Sequence, residues 1–317
     1  MLKLNSLSGF GAGAAAPACT FLGFGGTSYG YSHGGQKNGS VDAEEIEKFP
    51  FASDSNSADV ADLTLARQGT ASATYFGLYG YAMGGYGGGY TDIIDKYSLT
   101  SDANATDVGD LINTKYNGAG QSSCSHGYHT GGSGTVDDMI QKVPFASDAN
   151  ATDVANLTVS STSASGASSS TYGYTAGYDS SRETIDKFPF ATDSDATDVG
   201  DLTTGQNNAG SSSSSTHGYQ HGGDDDGYVD VIGKYTFASD ANATDVGDLL
   251  DGNKTVAGNC STTYGYAMGG LTAAVGYTDV IQKYAFASDA NATDVGNLST
   301  GFAKGGGEKK KKQPVEI

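Results

Sequence analysis

A thirteen-residue phrase, FASDANATDVGDL at Phe237–Leu249, constrains this chain more than any other feature because it recurs throughout the sequence. Close copies stand at Phe145–Leu157 and Phe286–Leu298, and looser ones at Phe51–Leu63, Leu99–Leu111 and Phe190–Leu202. Repetition at a period of a few tens of residues is typical of solenoids and propellers, in which each unit buries its faces against its neighbours. The repeat therefore decides the fold class before any other feature is considered.

Two further elements recur in the same order and phase. An Ile-x-Lys segment precedes each copy of the phrase, and a Gly-Tyr-x-x-Gly-Gly element stands upstream of that. The Gly-Tyr elements are spaced by 50, 47, 46, 45 and 47 residues, and one of them, beginning at Gly173, ends in Gly177-Tyr178. Six similar units of about 46 residues favour one stacked or closed array over two independent domains.

Within one unit the hydrophobic pattern has the period of a β-strand. In Thr216–Gly223 the aromatic and imidazole side chains alternate with Gly and Gln, and Val229–Phe237 is β-branched and aromatic. Asp and Asn in Ser239–Asn242 are turn residues, so Thr244–Leu249 is predicted to return as the second strand of a hairpin. With the Ser-rich stretch Gly210–Ser215, each unit has four short strands and no helical stripe.

Four strands repeated six times predict an all-β fold, a six-bladed β-propeller of four-stranded antiparallel blades. An open solenoid is the alternative, but it would need capping repeats with a polar outer face, and the first and last copies show no such change. The predicted propeller spans residues 18–300. Residues 1–17, rich in Gly and Ala, and residues 301–317, rich in Gly and Lys, are predicted to be terminal arms.

The order of these elements resembles a kelch repeat. The residues that fit the kelch pattern best are Gly30, Tyr31, Gly34, Gly35, the aromatic Phe49, and Leu63-Thr64 through Arg67. The chain departs from that pattern because it has no Trp and keeps the Arg only at Arg67. The resemblance covers about residues 19–298 and implies a kelch-like propeller.

The amino-acid sequence of the repeats, together with the opening Lys-Leu-Asn-x-Leu-Ser-Gly-Phe-Gly, also resembles that of structural proteins of tailed phages from marine bacteria. This resemblance implies a non-enzymatic virion protein in the tail or its fibres, present in multiple copies. Its expected roles are attachment to a host-surface glycan or docking of other virion proteins through the arms. A secreted, extracellular lectin-like propeller is the second hypothesis, and a kelch-type copper oxidoreductase is the third.

Composition removes several other classes. The net charge of −19 repels phosphate backbones, which argues against nucleic-acid binding. No apolar run is long enough to span a membrane. The three cysteines, Cys19, Cys124 and Cys260, have no metal-ligand spacing, so we expect buried single thiols and not a disulfide framework.

An aromatic residue or His precedes every Gly-Tyr, and the Tyr two positions on shares its strand face. Aromatic faces in repeats mostly build the core, and we expect the Tyr of one blade to fill the notch above the next blade's Gly. The functional alternative is a ring of stacking platforms for sugars or a partner chain. Its candidate binding residues are Tyr29, Tyr79, His126, Tyr172, His217 and Tyr264.

Two opposite charges recur in all six units, and a strand Lys is costly to bury without a partner. We therefore predict six Lys–Asp pairs that fix strand register, within a hairpin or between adjacent blades. The lysines are Lys48, Lys96, Lys142, Lys187, Lys234 and Lys283, and the aspartates are Asp59, Asp107, Asp153, Asp198, Asp245 and Asp294.

The sequence contains no strong motif for a cofactor or for catalysis. Asp240, Asn242 and Asp245 offer oxygens that calcium prefers, but their spacing is not that of an EF-hand, and a turn explains the same residues. A copper oxidase needs a Cys linked to a Tyr and convergent ligands, which these cysteines do not supply. With no nucleophile elbow, phosphate loop or zinc motif, we expect no enzyme activity and no obligatory cofactor.

Overall fold

The structure is a computed structural model that describes residues 28–37, 41–75, 78–178, 182–299 and 302–303. It confirms the all-β prediction: these residues form antiparallel sheets of three to five strands and no helix. They accordingly contain no helix that could cross a membrane. The predicted arm at residues 1–17 lies outside the described residues, as does almost all of the arm at 301–317.

Repeats 2 to 6 each form a sheet in which strands a, b, c and d pair in chain order, and repeat 1 contributes strands b, c and d. Repeat 1 has Tyr29–His33, Glu45–Pro50 and Ala58–Asp62; repeat 2 has Ala71–Tyr75, Tyr79–Met83, Thr91–Ser98 and Thr106–Tyr116; repeat 3 has Ala119–Ser122, His126–Thr130, Met139–Pro144 and Thr152–Asn156. Repeat 4 has Ser165–Ser168, Tyr172–Tyr178, Arg182–Pro189 and Thr197–Asp201; repeat 5 has Gly210–Ser213, His217–His221, Val231–Thr236 and Thr244–Asp248; repeat 6 has Ala257–Cys260, Tyr264–Met268, Val280–Ala285 and Thr293–Asn297.

Short strands extend or link these sheets. Ser133–Gly134 pairs with the long strand d of repeat 2. Two small sheets form from Gln36–Lys37, Val41–Asp42 and Phe302–Ala303, and from Asn253–Lys254, Leu271–Thr272 and Gly276–Tyr277. The first of them joins residues near the end of the chain to repeat 1.

Each sheet has two ends that the sequence makes different. At the motif end strand b begins and strand c leads into a copy of the FASDANAT loop, as where Tyr29 lies opposite Pro50. At the glycine end strand b runs into the Gly-Gly pair. The φ angles of +58° at Gly34 and +112° at Gly35 lie in the region that favours glycine.

Aromatic side chains fill the space between neighbouring sheets. In five repeats the Gly of Gly-Tyr faces a ring from strand c of its own sheet, so that a Cβ on Gly80 would lie 2.3 Å from the Tyr97 ring. The adjacent Tyr81 packs on the next repeat, with its ring centroid 4.9 Å from that of Phe145. The expectation that a Tyr fills the next blade's Gly notch is therefore wrong in these five repeats, because the notch already holds a ring of its own sheet.

At the glycine end, one buried polar position links consecutive repeats. It lies four residues after the Leu of the first five copies of the phrase and holds Arg67, Lys115, Ser161, Gln206 and Asn253, none more than 2% exposed. Arg67 Nε donates to Gly84 O over 2.9 Å, and Asn253 Nδ2 donates to Gly269 O over 2.7 Å, both in the following repeat. We call this the pin position.

Contacts between repeat 6 and repeat 1 repeat those made between consecutive repeats. Lys283 Nζ lies 2.6 Å from Asp54 Oδ1, and Asn297 N donates to Asn56 Oδ1 over 3.1 Å. Phe51 of repeat 1 stacks on Tyr266 of repeat 6 at 5.0 Å between ring centroids. The two ends of the repeat series are thus in direct contact.

Candidate functional site

The six candidate binding side chains begin strand b at the motif end and remain accessible. Tyr29 is 42% exposed, Tyr79 and Tyr172 are each 37% exposed, and the other three are half-buried. Five of the six tyrosines two positions on are buried: Tyr81, Tyr128, Tyr174, Tyr219 and Tyr266 are each 2% exposed, and Tyr31 is half-buried. Strand b therefore divides its aromatic residues into a buried set that packs the sheets together and an outer set that meets solvent.

A lysine of strand c lies over each outer tyrosine ring. The distance from Nζ to the ring centroid is 4.5 Å for Lys48 on Tyr29, 4.8 Å for Lys96 on Tyr79, 5.2 Å for Lys187 on Tyr172 and 4.9 Å for Lys283 on Tyr264. Contacts of this length are cation–π interactions. In repeats 3 and 5 the lysines occupy the same strand position, and an imidazole replaces the phenol ring.

The lysines also form ion pairs, but not with the predicted aspartates. Each Nζ lies between 2.5 and 2.9 Å from the loop Asp of the following repeat. The pairs are Lys48–Asp102, Lys96–Asp148, Lys142–Asp193, Lys187–Asp240, Lys234–Asp289 and Lys283–Asp54. The pairing between adjacent repeats was one of the two predicted possibilities; the partner residue was wrong.

Strand register explains the correction. Lys48 lies opposite Ala58, and Asp59 lies opposite Glu47. Neighbouring residues of a strand point to opposite sheet faces, so Asp59 cannot reach the face that carries Lys48. The same offset removes the other predicted partners, Asp107, Asp153, Asp198, Asp245 and Asp294, from their lysines.

The loop residue two positions after that Asp ties the same two repeats together through the backbone. Asn104 Oδ1 accepts from Asp62 N over 3.2 Å, while Ala105 N donates to Asp62 O over 2.8 Å. Equivalent pairs of bonds occur at all six boundaries, with Asp195 in place of Asn in repeat 4. The best-preserved phrase in the sequence is therefore a contact between repeats as well as a turn.

The three candidate calcium ligands each serve a different contact. Asp240 pairs with Lys187, and Asn242 Oδ1 accepts from Asp201 N over 3.1 Å. Asp245 Oδ1 accepts from Gly247 N over 3.1 Å, as in an Asx turn. Within the described residues no group of three or more His, Cys, Asp and Glu side chains could hold a metal ion, and the calcium hypothesis gains no support.

The two outer histidines are in their neutral form near pH 7. Burial lowers the pKa of His126, and the charge of Lys142 lowers it further; burial and Lys234 act in the same way on His217. The Nδ1 atoms share hydrogen bonds of 2.8 Å with the hydroxyls of Ser125 and Thr216.

Two cysteines lie in the described residues. Cys260 is buried, as expected. Cys124 is disulfide-bonded, which corrects the expectation of single thiols only, and Cys19 lies outside the described residues.

Sequence reasoning missed the loop aspartates as partners of the lysines, although all six copies keep an Asp at that place. A turn requires only a small polar residue there, so the unvarying carboxylate was the available signal. We call each set of outer ring, lysine and loop aspartate a motif-end cluster.

No protein-family model matches the chain, and no curated protein matches it.

Proposed function

We propose that this chain is a non-enzymatic, kelch-like six-bladed β-propeller that attaches to host-surface glycans through its motif end. The contacts of Lys283 with Asp54 and of Asn297 with Asn56 support closure of the six sheets into one ring. Closure also protects sheet edges that would otherwise be open to aggregation. A ring of this kind holds six repeated clusters in a rigid arrangement.

The observation that carries the proposal is the sixfold recurrence of the motif-end cluster. Each cluster combines a ring for stacking, an ammonium donor and a carboxylate acceptor, and these three groups suit the apolar face and the hydroxyls of a sugar. Weak sites held in a fixed array gain strength through multivalency when the ligand itself repeats. A glycan-covered cell surface is such a ligand.

The proposed location of the protein on a virion tail is supported by the amino-acid sequence of the repeats. Its resemblance to tailed-phage structural proteins favours a component that other virion proteins hold through residues 1–17 and 301–317. A secreted lectin-like propeller remains the alternative, and the disulfide at Cys124 suits either extracellular setting. We do not extend the proposal to a copper oxidoreductase, because His33 and His221 make separate contacts with Tyr97 and Tyr284.

Periodate treatment of the target surface tests the proposal, because periodate cleaves vicinal diols of sugars and leaves most protein epitopes in place. Fluorescently labelled full-length chain is incubated with host cells before and after oxidation. We expect binding that is saturable and lost after oxidation. Binding that survives oxidation, or no binding to any host tested, would contradict glycan attachment. Antibody labelling of purified phage particles tests the location, and tails without label would contradict it.

A further inference from the structure

We infer that each motif-end cluster is a composite subsite for an uncharged sugar residue, divided between two repeats; this inference rests on the proposed function. The ring and the lysine come from one repeat, and the aspartate comes from the next. The subsite of Tyr264 and Lys283 therefore depends on Asp54, at the other end of the repeat series. No single repeat contains a complete subsite.

The geometry leaves one side of the cluster open. In repeat 2, Lys96 covers one face of the Tyr79 ring at 4.8 Å, yet the tyrosine remains 37% exposed. Asp148 Oδ1 accepts a hydrogen bond from Lys96 Nζ. The Asp148 side chain is 56% exposed, so a carboxylate oxygen remains available to a sugar hydroxyl. A pyranose that stacks on the ring can thus also meet a carboxylate acceptor and an ammonium donor.

Charge selects the class of sugar. Within a cluster the ammonium is neutralised by the carboxylate beside it, and the chain as a whole carries −19. Acidic glycans such as uronates would meet exposed aspartates and an unfavourable long-range field. Neutral hexoses carry only hydroxyls and C–H faces, which match the groups present.

The clusters fall into two types. Repeats 1, 2, 4 and 6 present tyrosine, whereas repeats 3 and 5 present a neutral imidazole that is already hydrogen-bonded to Ser125 or Thr216. Imidazole offers a smaller stacking face than phenol. We therefore assign the main affinity to the four tyrosine subsites.

A chemically matched set at the glycine end provides the control. Tyr228 is 40% exposed, Lys254 Nζ lies 5.0 Å from its ring centroid, and the same Nζ lies 2.6 Å from Asp224 Oδ2. This set occurs next to the Gly-Gly pair of repeat 5, at the opposite end of the strands from the motif-end clusters. It has the same chemistry without belonging to the sixfold array.

The test compares binding of full-length variants to immobilised dextran, mannan and galactan, which are uncharged, and to alginate, which is acidic. One variant changes Tyr29, Tyr79, Tyr172 and Tyr264 to Ala, and a second changes the same four to Phe. A third changes their partners Asp102, Asp148, Asp240 and Asp54 to Asn. Tyr228→Ala is the matched control, and thermal unfolding verifies that every variant is folded.

We expect the unmodified chain to bind at least one uncharged polysaccharide, and to keep that binding in about 0.5 M NaCl, where surface charge pairs are screened. The Ala and Asn variants should lose about tenfold or more of the avidity, while the Phe variant and Tyr228→Ala should stay within about twofold. Preference for alginate, or equal losses in Tyr228→Ala and the fourfold Ala variant, would overturn the inference. Periodate-sensitive cell binding that survives the fourfold Ala variant would overturn it while leaving the proposed function intact.

Discussion

The two ends of the sheets hold neighbouring repeats together in opposite ways. At the motif end a short phrase makes the same polar contacts at every boundary, and the aspartates of its ion pairs are more than half exposed. At the glycine end the pin position is fully buried, and its residue type changes at each boundary where it is described. Each exposed, repeated contact is expected to contribute a small and similar share of the free energy of unfolding, whereas a single buried contact contributes a large share. Mutations at the two ends should therefore differ in cost.

The largest effect is expected from the buried ion pair at the first boundary. Arg67 Nη1 lies 2.9 Å from Asp95 Oδ2, and both side chains are 0% exposed. Asp95→Asn leaves the guanidinium without its counterion, which should lower the free energy of unfolding by about 3–5 kcal/mol. Urea denaturation measures the change.

Asp95 also accepts hydrogen bonds from Thr64 N and Oγ1 over 2.9 and 2.6 Å. The matched control is Asp186 in repeat 4, which is also 0% exposed and accepts the equivalent two bonds, from Thr158 N and Oγ1 over 2.9 and 2.7 Å. The pin residue at this boundary is Ser161, and no lysine or arginine among the described side chains forms an ion pair with Asp186. Asp186→Asn should cost less than about 1 kcal/mol, because the amide oxygen can accept from Thr158 N, the amide nitrogen can donate to Thr158 Oγ1, and a buried charge is removed. Equal costs at the two positions would show that the ion pair is not what distinguishes the boundaries.

The same two boundaries explain a departure in the glycine motif. A Cβ on Gly85 would lie 2.8 Å from Gln68 O, 2.9 Å from Thr70 Cγ2 and 3.2 Å from Arg67 Cδ, so the second glycine of the pair lies against the pin residue and the segment that follows it. In repeat 4 Tyr178 stands in place of that glycine and is 1% exposed, and the pin residue of the same boundary is the small Ser161. We infer that the large pin with glycine at the first boundary is exchanged for a small pin with tyrosine at this one.

A double-mutant cycle tests this exchange. Tyr178→Gly should lower the free energy of unfolding by about 3 kcal/mol through the cavity, and Ser161→Arg should cost about 1–3 kcal/mol through overpacking. The combined variant should be less destabilised than the sum of the two by about 1 kcal/mol or more. Additive costs in chemical denaturation would refute the exchange.

Local sequence patterns predicted the strands of each repeat but not the contacts between repeats. Period-two patterning and turn residues are local, so they predicted the strands of a unit such as Thr216–Leu249 without reference to other repeats. The partner of Lys48 depends on register and on the position of the next repeat, which no local pattern records. The pin position was recognised only at Arg67, where it matched the kelch pattern, because its chemistry changes from repeat to repeat. A polar residue four positions after the Leu in five of the six copies was the signal that could have revealed it.

Two histidines of one strand sharpen the comparison between the ends. His126, at the motif end, is half-buried, whereas His129 is 0% exposed and burial lowers its pKa from 6.5 to about 3. Between these values the unfolded chain binds a proton that the folded chain does not. Stability should therefore fall as the pH drops below about 6.5, by at most about 1.4 kcal/mol per pH unit, and the loss should level off near pH 3.

The repeats themselves supply the substitutions for this test. His129→Gln installs the residue found as Gln220 in repeat 5, and His126→Tyr installs the residue found in four other repeats. Denaturation at a series of pH values should show a flatter profile for His129→Gln and little change for His126→Tyr. An unaltered acid dependence in His129→Gln would mean that other groups cause the loss.

The smallest effect is expected at a single motif-end pair. Lys187 and Asp240 are 19% and 59% exposed, so water and salt screen their attraction, and a cycle of Lys187→Ala and Asp240→Ala should give a coupling of only about 0.2–1 kcal/mol. The coupling should shrink further in about 1 M NaCl.

Because six equivalent pairs exist, their joint loss should still lower the free energy of unfolding, and changing all six lysines to Gln should cost several times the value for a single pair. If one pair alone carried a coupling as large as that of Arg67 with Asp95, the two ends would not differ in the way their burial implies. If six together carried nothing, stability would not explain the recurrence of this lysine and aspartate, and the binding experiments on the composite subsite would have to account for it.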